Sequence, residues 1–274
     1  MPNHNDTRAT DPPAAKLCST KRGFTSAALF VAFLLCIPLQ AVDRAKVLSE
    51  ASRSYYAFDA QGIKDFQCVA VLAPEIMADS FKLSPKDPEI QFMSDLRFAV
   101  LVDKDHQQLV TPYRKSGRKI DHDFILAEAG RQTVHDFFYL WGSFILTSPF
   151  ARFGMSTVTL EGAHSYHILS RVNDVAFELF MTDNYMITSM NVTSRESTSV
   201  WLPTFTRTDK GFLLTNLIVQ GSSARGLRKI DIEYQNIRGL KLPSSVNIES
   251  QVSGQSFSLE LIFSHYLINK SHKH

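Results

Sequence analysis

The stretch "RKIDIEYQNIRGLKLPSSVNIES", Arg228 to Ser250, decides the fold. It alternates apolar and polar residues as a β-strand does, turns at Gly-Leu-Lys-Leu-Pro, and alternates again. Two strands joined this closely form an antiparallel pair. Neither arm carries a group of residues that looks catalytic.

The same signal recurs on either side. "STVTLEG", "SYHILSR", "VAFELFMT", "MITSMNVTS", "VWLPTFTR", "FLLTNLIVQ", "KIDIEYQNI", "SSVNIES" and "SFSLELIFSHY" follow one another between Gly, Asn, Asp or Pro punctuation. Short strands at such spacing predict one large antiparallel sheet. Two or three more strands precede them. "DFQCVAVLA" places Phe66, Cys68, Ala70 and Leu72 on one face. "SDLRFAVLVD" alternates Leu96, Phe98, Val100 and Val102, and "QQLVTPY" returns after an Asp103–Asp105 turn.

Three segments read differently. Val42 to Phe58 is expected to be one helix, with Leu48, Ala51, Tyr55 and Phe58 on its apolar side. Pro74, Pro85 and Pro88 bracket an expected loop. Asp121 to Pro149 is expected to be helical, opened by Asp121-His122-Asp123, split in two at Gly130 and closed by Pro149. Its second half carries the stripe Val134, Phe137, Phe138, Trp141, Phe144 and Ile145. A sheet of this size has to curl. The expected class is therefore α+β: a large curled antiparallel sheet, an unclosed barrel, capped on its concave side by the N-terminal helix and the central helical insert.

The N-terminus is set apart. Lys21-Arg22 precede an uncharged apolar run, Gly23 to Ala41, interrupted at Pro38 and ending in a small residue. This pattern predicts a secretory signal peptide over 1–41 with cleavage after Ala41, and one exported domain over 42–274. The competing reading is an uncleaved membrane anchor, since the run nearly suffices to span a bilayer. The expected compartment is the periplasm. Of the 29 basic and 27 acidic residues, four and two lie in 1–41, leaving 25 of each. A neutral domain has no electrostatic footprint for nucleic acid. Cys18 and Cys36 also fall in that segment, so Cys68 stands alone and no disulfide forms within the domain.

Motif searches point away from chemistry. "HSYH" (His164–His167) is not read as a metal site, because three-residue spacing on a strand puts the rings on opposite faces. "QGSSARG" has the wrong spacing for a nucleophile elbow and reads as a hairpin loop. Cys68 shares a face with Phe66 and Leu72, which marks a small core residue. "RKSGRK" (Arg114–Lys119) is a solvated basic turn, or a contact for a partner protein or anionic lipid headgroup. "NVT" at Asn191 lies within a strand pattern. No catalytic residue, metal or cofactor is expected.

The order of elements resembles the LolA/LolB-like superfamily of bacterial lipoprotein carriers. The residues that carry the likeness are "DFQCVAVLAPE", then Tyr234, Gly239, Leu242 and Pro243 in the opening stretch, then "SFSLELIFSHYLINK". The resemblance implies a half-barrel over 42–274 whose apolar interior holds acyl chains. On that reading the ligand-facing candidates are Phe137, Phe138, Trp141, Phe144, Ile145, Phe98 and Phe177, and the central helix is a lid. The partners are an acylated lipoprotein or lipid and a membrane-bound donor or acceptor protein, and the carrier is monomeric. The alternative is an envelope interaction or sensor module of the same fold with a filled interior.

Overall fold

The computed structural model describes residues 42–269, apart from 104, 121–123, 154–155, 163, 222–225 and 253. The expected signal segment and the opening of the central helix at 121–123 lie outside the described residues. Residues from Val42 onward form one compact unit.

Among the described residues, twelve strands build one antiparallel sheet. Three come first: β1 (Phe66–Leu72), β2 (Leu96–Val102) and β3 (Gln108–Arg114). Nine follow the long helix: β4 (Ser156–Glu161), β5 (Ser165–Val172), β6 (Val175–Thr182), β7 (Ile187–Thr193), β8 (Thr198–Thr208), β9 (Gly211–Gly221), β10 (Leu227–Ile237), β11 (Leu240–Val252) and β12 (Gln255–Ile268). The order is β3-β2-β1-β12-β11-β10-β9-β8-β7-β6-β5-β4. β3 and β4 are the two ends and do not pair, so the sheet is not closed. The last nine strands are a run of hairpins. The first three join them where β1 pairs with β12, Phe66 opposite Ile268.

The opening stretch forms β10 and β11, but its turn is tighter than expected. Ile237 pairs with Leu240, leaving Arg238 (φ 55) and Gly239 (φ 80) as a two-residue hairpin turn. Two consecutive left-handed residues match the twist of the flanking strands. Leu240 to Pro243 therefore belongs to β11. The register slips between Glu233 and Tyr234, with Ser244 as the extra residue opposite them.

Among the described residues, four α-helices accompany the sheet: α1 (Arg44–Arg53), α2 (Pro74–Phe81), α3 (Pro88–Asp95) and α4 (Phe124–Ile145). Three expectations are corrected here. The N-terminal helix stops at Arg53, not Phe58. Tyr55 bridges Phe212 instead: Phe212 N donates to Ser54 O (2.7 Å) and Tyr56 N to Phe212 O (3.0 Å). Gly211 permits that crossing, because at φ 115 any Cβ would lie 2.7 Å from Ser54 O. The loop around Pro74 and Pro88 contains α2 and α3, each with Pro in its first turn, where no amide hydrogen is needed. α2 packs on β12, with Ser80 Oγ donating to Ser258 O (3.0 Å). Finally, α4 is continuous through Gly130. That glycine lets the helix approach β2, since a Cβ there would stand 2.5 Å from Phe98 Cζ.

α4 bonds to two well-separated strands of the sheet. Gln108 Nε2 on β3 donates to Phe138 O (3.0 Å), and Trp141 Nε1 donates to the Tyr234 hydroxyl on β10 (3.0 Å). β3 and β10 are five steps apart, about 24 Å in a flat sheet at roughly 4.8 Å per strand. Phe138 and Trp141 are only about 4.5 Å apart along a helix axis. Two such neighbours touch both strands only if the sheet curves.

The end of α4 is tied to the segment after α1. Phe58 N donates to Ile145 O (2.8 Å) and Asp59 N to Leu146 O (3.3 Å). These bonds satisfy carbonyls that the last helical turn leaves without a partner.

Candidate functional site

The expected site is the apolar stripe of α4 and the strand residues facing it. Phe137, Phe138, Trp141, Phe144, Ile145 and Phe98 are each no more than 1% exposed. They meet other side chains. Trp141 packs edge-on against Phe58 (5.4 Å between ring centres) and Phe138 (5.7 Å). Phe137 and Phe138 flank Phe263 on β12 at 5.4 and 5.5 Å. Phe144 meets Phe205 and Trp201 on β8 at 5.8 and 6.2 Å. Such ring pairs add to the burial itself. The seventh candidate, Phe177, lies apart on β6, half-buried against Phe153 and under the Arg152 guanidinium.

A polar seam runs beneath this cluster. The Tyr234 hydroxyl accepts from Trp141 and donates to Leu214 O (2.6 Å). Tyr266 donates to Pro243 O (2.8 Å), and Tyr56 accepts from Lys241 N (2.8 Å). Burial pushes the Tyr234 and Tyr266 phenols well above their ordinary range, and the Cys68 thiol likewise. All three are neutral near pH 7. The protonated Cys68 is a poor nucleophile, since the thiolate is the reactive form. The seam satisfies buried polar atoms.

Several clefts open among the described residues. One of about 740 Å³ opens over β4–β7 between Leu169, Arg171, Phe177, Glu178 and Asn191. A second, about 610 Å³, lies beside the basic turn at Arg118 and Lys119. A groove of about 350 Å³ runs over Val69, Leu101, Leu109 and Leu267 on the face of β1–β3 and β12 away from α4. A void of about 20 Å³ sits between Tyr139, Phe177, Met190 and Trp201, enough for about one water. Of the seven candidates, Phe177 alone lines any of these.

The remaining motifs take structural positions. His164 lies in the turn before β5 and pairs with Asp183 (3.0 Å). His167 sits between Glu161 (3.4 Å) and Glu178 (2.9 Å), with its ring stacked on Phe180. The Asn191 amide donates to Glu178 (2.8 Å) and, with His167, holds that carboxyl below its usual range. No group of three or more His, Cys, Asp or Glu side chains is arranged to hold a metal ion among the described residues. Arg114, the first residue of the basic turn, is held by Asp95 (2.7 Å).

Sequence reading missed the aromatic contribution of the N-terminal segment. Tyr55, Tyr56 and Phe58 are as buried as the α4 stripe. The signal is a cluster of three aromatics within four residues, of which helical spacing assigns Tyr55 and Phe58 to an apolar helix face. It also missed the Tyr234–Trp141 bond, which joins residues 93 positions apart.

Comparison with family models, with curated proteins and with solved structures gave no match for this chain.

Proposed function

We propose that this protein is a non-enzymatic binding module of the bacterial envelope that acts through its surface, with its interior filled by its own side chains. One observation carries the reading: the α4 stripe is buried to within 1% and surrounded by rings at contact distance. A container would leave part of that stripe lining a space. In this reading α4 and the Tyr55–Phe58 segment cap the hollow of a half-barrel and occupy it. The order of elements supports the likeness to LolA/LolB-like proteins, and the apolar run before Ala41 supports export.

The competing reading is a carrier of an acylated lipoprotein or lipid, with α4 as a movable lid. A fluorescent fatty-acid probe separates the two. The filled module gives no saturable probe binding, and no lipid co-purifies with it by mass spectrometry. Saturable binding that Trp141→Ala weakens, in a protein that stays folded, would replace this proposal with the carrier.

A further inference from the structure

The two ends of the sheet are finished in different ways. β3 carries Pro112, takes the Gln108–Phe138 bond from α4, and has its end clamped by Arg114–Asp95. β4 pairs with β5 alone among the described strands, in unbroken register from Ser156 to Glu161. It holds no proline, no lysine and no bulge, the devices that blunt an edge. Thr157, Thr159, Leu160 and Glu161 are exposed, Leu160 by 48%.

We propose that β4 is a self-association strand that pairs antiparallel with β4 of a second copy, centred on Thr159. Symmetry limits the register. A two-fold axis perpendicular to the sheet keeps the same face of both copies on the same side. Facing residues must then lie on the same face, so their numbers sum to an even value. Centred on Thr159, Val158 faces the partner's Leu160, and Thr159 faces its own counterpart. Thr157 faces the partner's Glu161. Apolar meets apolar, threonine meets threonine, and no like charges are opposed. Centring on Val158 instead sets Ser156 against the partner's Leu160 and leaves Glu161 beyond the pairing.

Charge supports the same register. Arg171 on β5 is exposed, lies on the face of Thr157 and Leu169, and contacts no acid among the described residues. The partner's Glu161, opposite Thr157, would lie two strands across and two residues along from it. That diagonal is about 12 Å between α-carbons, a gap that an arginine and a glutamate span together. The contact forms twice, once on each side of the axis. The pairing stands whether or not the interior ever takes a ligand.

Sedimentation equilibrium of the full chain tests it. The wild type is expected to move from monomer to dimer as concentration rises. Leu160→Lys should weaken self-association about tenfold or more and leave the melting temperature unchanged. Arg171→Glu should weaken it too, and adding Glu161→Arg should restore it. Oxidation of Thr159→Cys should give a covalent dimer beyond the background set by Cys18, Cys36 and Cys68 in the wild type, because facing strand residues lie within disulfide reach. A wild type that stays monomeric at every concentration overturns the proposal. So does a dimer that Leu160→Lys leaves intact, or one that the Thr159 cysteine fails to trap.

Discussion

The strands near α4 and the strands far from it have similar sequences and different surroundings. β1 and β2 bury alternate residues along their length. Phe66 and Phe98 point toward the helix, and both are sealed. β4 alternates too, yet no residue in it is fully buried. Its neighbours β5 and β6 bury Ile168, Leu179 and Met181 but carry half-exposed residues around them. Alternation predicts a strand in both places. What differs is whether a helix lies against it. The wing at β4–β7 adds cross-strand polar contacts such as His167–Glu178–Asn191 to those buried residues. The contrast separates a helix-backed region with sealed inward faces from a wing with more exposed surface.

That contrast can be broken by removing what fills the helix-backed side. Trp141→Ala leaves a cavity among Phe58, Phe66, Phe137 and Phe138 and frees the Tyr234 hydroxyl from a bond. It should cost about 3–5 kcal/mol, read as a fall in the denaturation midpoint. A loss below about 1 kcal/mol, the range of surface changes, would mean that the stripe is not the core.

Overpacking the same contact tests the helix–sheet distance. Gly130→Val places a Cβ against Phe98 Cζ and Leu72 Cδ1. The ring or the helix must move, and thermal unfolding should report about 1–3 kcal/mol lost. If stability is unchanged, α4 stands farther from β2 than its backbone allows here.

The hairpin in the opening stretch probes the sheet without the helix. Gly239 has φ 80 and open space around its α-carbon, so a substitution is opposed by backbone conformation alone. Gly239→Val should lower stability by about 1 kcal/mol or more. Gly239→Asn should recover most of it, because asparagine tolerates this region. Equal melting temperatures for the two variants would show that the turn is not left-handed.

The smallest effect concerns the clamp on β3. The Ser116 hydroxyl and then Arg114 hold the Asp95 carboxyl down at about 2. A depressed carboxyl contributes stability above its unfolded value, near 3.9, and loses it as pH falls toward the folded one. Asp95→Asn should therefore destabilise by under about 1 kcal/mol at pH 7, as partly exposed ion pairs do. The difference from wild type should vanish as pH drops from about 4 to about 2. A gap that persists at pH 2 would place the effect in packing instead of charge.

Much of this protein is legible in its amino-acid sequence. The strands can be placed because period-two alternation and turn residues are local signals, confined to a few neighbouring residues. The α4 stripe is legible for the same reason, since it repeats within one helix. The turn residue Gly239 and the inward faces of β1 and β2 need no distant information.

The tertiary structure decided the rest, and in each case because a distant contact outweighed a local preference. Tyr55 to Phe58 keep helical spacing but leave the helix, because their amides bond Phe212 and Ile145 and their rings fill the core. Gly130 is a break in sequence terms and a packing contact in space, since Phe98, 32 positions earlier, occupies the room a side chain would need. Whether the aromatic stripe lines a space or fills one has no sequence signature, because core and cavity walls share a composition. The distances between those rings depend on long-range contacts such as the bonds of α4 to Gln108 and Tyr234. Which strands end as edges is likewise invisible in the sequence, since the sheet order depends on β1 pairing with β12, nearly two hundred residues away.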